Sequence, residues 1–190
     1  MKRLILFNLI LLIIAFGIPD LKQEFITISV IENRINKPVS LEVNRSRVNA
    51  SRDIKTNADR IYVFLEQKGM NKIQICAILG NLYQESGLNP EISESNGIGY
   101  GLAQWSFERK SKLLAKYDNP ADIKNQLDYL WYELTELEMW TGGYENIFYN
   151  TTNLKEATIA FCSGFERAGI PMMDRRISYA EYYFNLYKEV

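Results

Sequence analysis

The chain has 190 residues, enough for one ordinary domain and a leader, and 47% of them are apolar, so a sizeable core can form. A net charge of −1 leaves no basic excess to neutralise phosphates, which excludes a general nucleic-acid binder. Histidine is absent, and with it go Ser–His–Asp and Cys–His nucleophile systems and His-bearing zinc sites. Chemistry near neutral pH must then rest on carboxylates, amines, phenols or a substrate group, and no cofactor or metal is expected.

Lys2 and Arg3 precede an apolar run over residues 4–16, interrupted by Asn8. The run is shorter than the roughly 20 residues of a membrane span and suits the hydrophobic region of a secretory signal. Ala15 and Gly17 offer small residues for cleavage, whereas Ile18 and Pro19 leave an uncleaved anchor as an alternative. Residues 1–19 are read as a signal peptide or signal anchor, which places the protein outside the cytoplasm, secreted or membrane-anchored. Residues 20–56 read as a spacer. Within it FITISVI (25–31) alternates like a short strand with no evident partner, and Arg34, Lys37, Arg45, Arg47, Arg52 and Lys55 outnumber Glu32, Glu42 and Asp53. That excess would suit an anionic wall or membrane surface, though a solvated linker is the simpler reading.

Residues 57–190 read as one mainly α domain. A first helix over 57–68 carries Ile61, Phe64 and Leu65 on one face and stops at Gly69. Asn71 with Gln74 forms a capping box for a second helix, with Ile75, Ile78, Leu79 and Leu82 inward, that ends at Gly87. Residues 87–104 hold Gly87, Gly97, Gly99 and Gly101 with Pro90 and several Asn and Ser, a long polar loop with room for a small β-hairpin. Loops of that length inside a compact domain are usually functional. Ser106 caps a third helix to about residue 117, and Asn119-Pro120 supplies an N-cap and first-turn proline for a fourth, with Ile123, Leu127, Leu130, Trp131, Leu134 and Leu137 inward. Asn153 with Glu156 opens a fifth, buried along Ala157, Ala160, Phe161, Phe165 and Ala168, and a last helix covers 174–188. No internal repeat appears. Cys76 and Cys162 lie in apolar helices, where a disulfide and two buried thiols fit equally well. No histidine could activate Cys76 as a nucleophile.

Glu85 shares a face with Ile78 and Leu82 at the end of the second helix. A carboxyl at the rim of an apolar stripe is partly desolvated, which favours its protonated form, as glycosidic bond cleavage requires. Spacing alone gives more weight to an ordinary helix-end glutamate or a salt bridge, for instance with Arg109. The surrounding residues shift that balance. Glu85-Ser86 followed by Gly101-Leu102-Ala103-Gln104 resembles the signature of the goose-type lysozyme and lytic transglycosylase superfamily. The closer resemblance is to the phage tail lysozyme family, through Gly80-Asn81-Leu82, Glu85-Ser86-Gly87, Asn89-Pro90, 100–105, Arg109, Gln126-Leu127, Glu133-Leu134, Phe165-Glu166-Arg167 and the final Arg/Tyr helix. It implies a lysozyme-like helical domain that cleaves the peptidoglycan glycan strand, a muramidase with the glycan as its partner, acting as a monomer. A lytic transglycosylase using the same acid, or an inactive glycan- or partner-binding module, is the alternative.

Carried over, the resemblance makes Glu85 the catalytic acid and places Gln104 in the cleft against the sugar or the attacking water. Tyr100 and Trp105 offer flat faces to a pyranose ring, with a core anchor an equal reading for Trp105. Ser86, Asn81 and Asn89 hold the loop or its substrate side. The second acid is the weakest assignment: Glu94 is preferred to Glu91, and Glu166 is given to pairing with Arg167, Arg175 or Arg176. Relatives that work with one acid make a second carboxylate optional.

Overall fold

Thr56 starts the first helix, α1 (Asn57–Gln67), through a capping box that reading from Asn57 onward misses. The Asp59 amide donates to Thr56 Oγ1 at 3.1 Å and the Thr56 amide to Asp59 Oδ2 at 2.8 Å, a motif worth about 1 kcal/mol. The protein is described by a computed structural model over residues 55–137 and 139–187. The expected leader and nearly all of the spacer lie outside the described residues. Among the described residues no helix is long and apolar enough to cross a membrane.

The second helix, α2 (Lys72–Ser86), begins with the expected Asn71/Gln74 capping box and ends at Gly87, whose φ of 62° is left-handed. Ile75, Cys76, Ile78, Leu79 and Leu82 are all buried, so this helix is enclosed on most sides, as a helix apolar nearly all round must be. It packs chiefly against the last helix, α7 (Met173–Leu186), and against α6 (Leu154–Ala160). The close approach depends on Gly80, where a Cβ would lie 2.6 Å from the Ala180 nitrogen and the Arg176 carbonyl oxygen.

Helix α3 (Phe107–Lys116) starts after Ser106 as expected, but the Ser106 hydroxyl makes no capping hydrogen bond. Helix α4 (Ile123–Thr135) starts later than the sequence suggested. Asn119-Pro120 forms a turn closed by the Asp122 amide on the Asn119 carbonyl at 3.2 Å. Asp122 then caps the helix, accepting the Lys124 amide at 2.7 Å. Proline's fixed φ serves the second position of a turn as well as a first helical turn, so the dipeptide alone does not decide. Asn153 caps α6 as read, accepting the Glu156 amide at 3.1 Å.

Two elements were not expected. A short helix, α5 (Tyr144–Asn150), precedes α6, and α6 runs on into a π-helical turn, Phe161–Glu166, closed by Arg167 in the left-handed region. Trp140 packs against Phe148, Phe161 and Phe165 with ring centroids 5.2, 5.9 and 5.7 Å away. This aromatic cluster backs the π-turn. Cys76 and Cys162 are buried and not joined to each other, which removes the disulfide alternative. The described residues contain no regular strand. In place of a hairpin the loop holds two isolated antiparallel bridges, Ser93 with Tyr100 and Tyr100 with Trp105.

Candidate active site

Glu85 lies in the last turn of α2, where its Oε1 accepts a hydrogen bond from Arg176 Nη2 at 2.6 Å. The Glu85 side chain is 19% exposed and that of Arg176 only 2%. No donor among the described residues reaches Glu85 Oε2, which is left to solvent. The partner expected from the sequence, Arg109, is engaged elsewhere. The pairing arises because Arg176, Ala180 and Tyr183 share the buried face of α7 that packs on α2. Arg176 also donates to Asn81 Oδ1 at 3.0 Å, and Asn81 in turn donates to the Ala77 and Thr158 carbonyls at 2.9 and 3.2 Å. Asn81 therefore orients the arginine that holds Glu85.

Ser86 ties the end of α2 to the polar loop, its hydroxyl donating to the Leu102 carbonyl at 2.8 Å and the Leu82 carbonyl at 3.1 Å. The same stretch is clamped from α4 by the fully buried Gln126. Its Oε1 accepts the Leu102 amide at 2.8 Å, and its Nε2 donates to the Pro90 and Pro120 carbonyls, each at 2.7 Å. Gly101 must be glycine here: φ is 70° and a Cβ would sit 2.5 Å from Gln126 Oε1. Gln104 is half-buried and its amide donates to the Gly101 carbonyl at 2.8 Å. Asn89 is exposed and accepts the Glu91 amide at 2.9 Å, a local turn bond. Tyr100 is half-buried with Lys110 Nζ 5.9 Å from its ring centre, and burial raises its phenol pKa first, the charge of Glu91 second.

Trp105 does not offer a face to a sugar. It is fully buried, its Nε1 donating to Glu133 Oε2 at 2.7 Å and its ring standing edge-on to Tyr129 at 5.6 Å. Of the two readings open in the sequence, the core anchor holds. Glu94 is exposed, and its Oε2 accepts the Gly99 amide at 3.2 Å, so its carboxylate closes the turn of the loop tip.

A second ion pair joins α3 to α4. Arg109 Nε and Nη2 donate to Glu133 Oε1 and Oε2, each at 2.8 Å, and the guanidinium stacks over Phe165 at 4.8 Å. Glu133 is completely buried. Glu166, at the end of the π-turn, lies within the field of both pairs. Among the described residues it forms no ion pair with Arg167, Arg175 or Arg176, contrary to the expectation; Arg176 is paired with Glu85 and Arg175 donates to the Tyr179 hydroxyl. Its Oε1 is buried with no hydrogen-bond partner. Burial raises the pKa of its carboxyl first, the nearby charge of Glu85 adds to the rise, and Arg109 and Arg176 oppose it.

In the sequence Glu133 and Gln126 carry no assigned role, and Arg176 stands only as a candidate partner of Glu166. A signal was present: Gln126 and Glu133 fall at helical spacing with Leu130, as Arg176 does with Ala180 and Tyr183. A charged or amide group on such a face needs a buried partner.

A helical domain with a carboxylate at the end of its central helix, tied by the next residue to a clamped glycine-rich loop, is consistent with a lysozyme-like domain. The chain belongs to the phage tail lysozyme family, whose model matches residues 56–187. It is also similar to morphogenesis protein 1 of Bacillus phage B103, with 29% identity over 150 residues. The match spans 70% of this chain but only 40% of that protein.

Proposed function

We propose that the chain is a peptidoglycan glycosidase of the muramidase type in which Glu85 is the general acid. Family membership supports the substrate, and one observation carries the role of Glu85: one oxygen is fixed by a buried arginine while the other stays open to solvent. A fixed carboxyl with an open oxygen can meet a glycosidic oxygen, pass it a proton as the bond to the anomeric carbon breaks, and be reprotonated as water adds to that carbon. Gln104 and Tyr100, on the loop that Ser86 joins to α2, are the residues proposed to line the sugar. Asn89 and Ser86 serve by holding the loop. Action on the wall implies work outside the cytoplasm of the target cell.

Purified protein incubated with peptidoglycan tests this reading through the ends it releases. New reducing muramic ends carrying the elements of water identify hydrolysis, and anhydro ends identify transglycosylation. Glu85→Gln keeps the shape and can still accept from Arg176, but it has no proton to give. Cleavage should fall by roughly 10²–10⁴-fold with glycan binding retained. A Glu85→Gln protein that cleaves at the wild-type rate refutes the assignment.

A further inference from the structure

Two arginine–glutamate pairs in the domain use the same guanidinium edge differently. In Arg109 the edge formed by Nε and Nη2 meets Glu133 Oε1 and Oε2, each at 2.8 Å, so both carboxylate oxygens are taken. In Arg176 the same edge is divided. Nη2 donates to Glu85 Oε1 at 2.6 Å, whereas Nε donates to the Pro171 carbonyl at 2.5 Å. The remaining nitrogen, Nη1, donates to Asn81 Oδ1 at 3.0 Å and to the Asn81 carbonyl at 3.4 Å. Each nitrogen of this guanidinium is therefore committed, on a side chain only 2% exposed. It cannot turn further onto Glu85 without giving up one of these bonds, and a buried donor left unsatisfied is costly. The acceptors are themselves fixed. Asn81 is anchored to the Ala77 and Thr158 carbonyls. Pro171 is followed by Met172 in the left-handed region at φ 47°, a conformation uncommon outside glycine and kept only where the surroundings impose it.

We infer that Arg176 is a positioning residue for Glu85, and that the division of its edge between Pro171 and Glu85 is what leaves one carboxyl oxygen free to act. The inference rests on the reading of Glu85 as the acid and adds to it the device that aims the acid. A carboxyl gripped on both oxygens, as Glu133 is, has none left to meet a glycosidic oxygen. A carboxyl gripped by one prong keeps a fixed direction and an open oxygen. The Pro171 carbonyl occupies the prong that would otherwise close on Glu85 Oε2, and Asn81 stops the guanidinium from swinging about its contact with Oε1. An acid held in this way is aimed before substrate arrives. Misplacing a catalytic group by about 1 Å can cost on the order of 10²-fold in rate.

The test releases the guanidinium and reads kcat and KM separately, on soluble glycan chains prepared from peptidoglycan. Asn81→Ala takes away the Nη1 acceptor, and kcat should fall by roughly 10- to 100-fold while KM stays as in the wild type. Arg176→Lys keeps the charge but has no fork, so kcat should fall likewise. Adding Asn81→Ala to Arg176→Lys should then cost nothing more, because Asn81 acts through the arginine. A wild-type kcat in Asn81→Ala overturns the inference, as does a fall by the same factor in both backgrounds or a loss confined to KM. A second reading needs neither turnover nor the lysine variant: NMR of the full chain labelled with nitrogen-15 in its arginine side chains. Nη1 and Nη2 of Arg176 should give separate signals in the wild type and merge in Asn81→Ala as the guanidinium begins to rotate. Signals that stay separate in Asn81→Ala, or are merged already in the wild type, overturn the inference. This reading decides whether the guanidinium is held even where Glu85 proves not to be the acid.

Discussion

Trp105 Nε1 lies 2.7 Å from Glu133 Oε2, so the tryptophan that ends the glycine-rich loop is bonded to a fully buried carboxylate. The bond makes Trp105 the joint between loop and helical core. Trp105→Phe keeps a ring but removes the donor, leaving that lone pair of Glu133 to Arg109 alone. Loss of a buried hydrogen bond to a charged group costs about 1–3 kcal/mol. Urea unfolding should show a loss in that range, with the affinity of the folded fraction for glycan unchanged. A sugar platform would behave in the opposite way, losing affinity at constant stability.

Gly101→Ala should damage activity more than its size suggests. The added methyl enters a left-handed position and points at Gln126 Oε1, 2.5 Å away. Either the loop or Gln126 must shift, and with it the bonds to the Leu102 amide and the Pro90 carbonyl. Strain of this kind costs about 1–3 kcal/mol. Thermal unfolding should register it, and kcat should fall with it because the loop carries Gln104 and Tyr100. A variant of wild-type stability and rate would show that the clamp is not needed.

The sequence disclosed what is local. The Asn71/Gln74 box, the Gly87 stop and the Asn153 cap are all set by residues within one turn of each other, and each appears where it was read. The capping turn at Asp122 was missed because Asn119-Pro120 satisfies two local structures equally well. The π-turn was missed because its hydrogen bonds span one residue more than those of an α-helix, which apolar spacing over Phe161 and Phe165 does not resolve. The candidate site was half legible. Glu85, Ser86 and Gln104 stood out through motif resemblance, but the Arg176–Glu85 pair joins residues 91 positions apart. Nothing in the spacing chose Arg176 over Arg109 for that place; helix packing at Gly80 did.

Stability should fall as pH rises across the range in which Glu166 titrates. Burial, then the charge of Glu85, pushes its carboxyl from 4.5 up to about 8 in the folded chain. Between those values the folded state binds more protons than the unfolded state, so the unfolding free energy declines with rising pH. The favourable contribution is complete below the unfolded value and is lost as pH climbs through the folded one. Urea unfolding of the wild-type chain at pH 5 and pH 8 should show this decline. Glu166→Gln, which cannot ionise, should flatten it, and an equal slope in both proteins would mean that Glu166 titrates normally.

Glu94 provides the remaining separation of mechanisms. Its carboxylate is exposed and already employed, one oxygen accepting the Gly99 amide at 3.2 Å. A glutamine there can still accept that hydrogen bond through its carbonyl oxygen, so Glu94→Gln removes charge while leaving the loop tip closed. If Glu94 acted as a partner carboxylate across the scissile bond, losing its charge should cost as much as losing the proton of Glu85. If it serves only to close the loop, the rate should fall by less than about tenfold, well short of the 10²–10⁴-fold typical of an acid–base group. The mild outcome is expected, because an exposed carboxylate with one oxygen committed to a backbone amide is poorly placed to stabilise charge away from water. Measuring both variants on the same peptidoglycan preparation, with Glu94→Ala as the control that also opens the loop, distinguishes charge from geometry. A loss in Glu94→Gln equal to that in Glu85→Gln would restore Glu94 as the second acid.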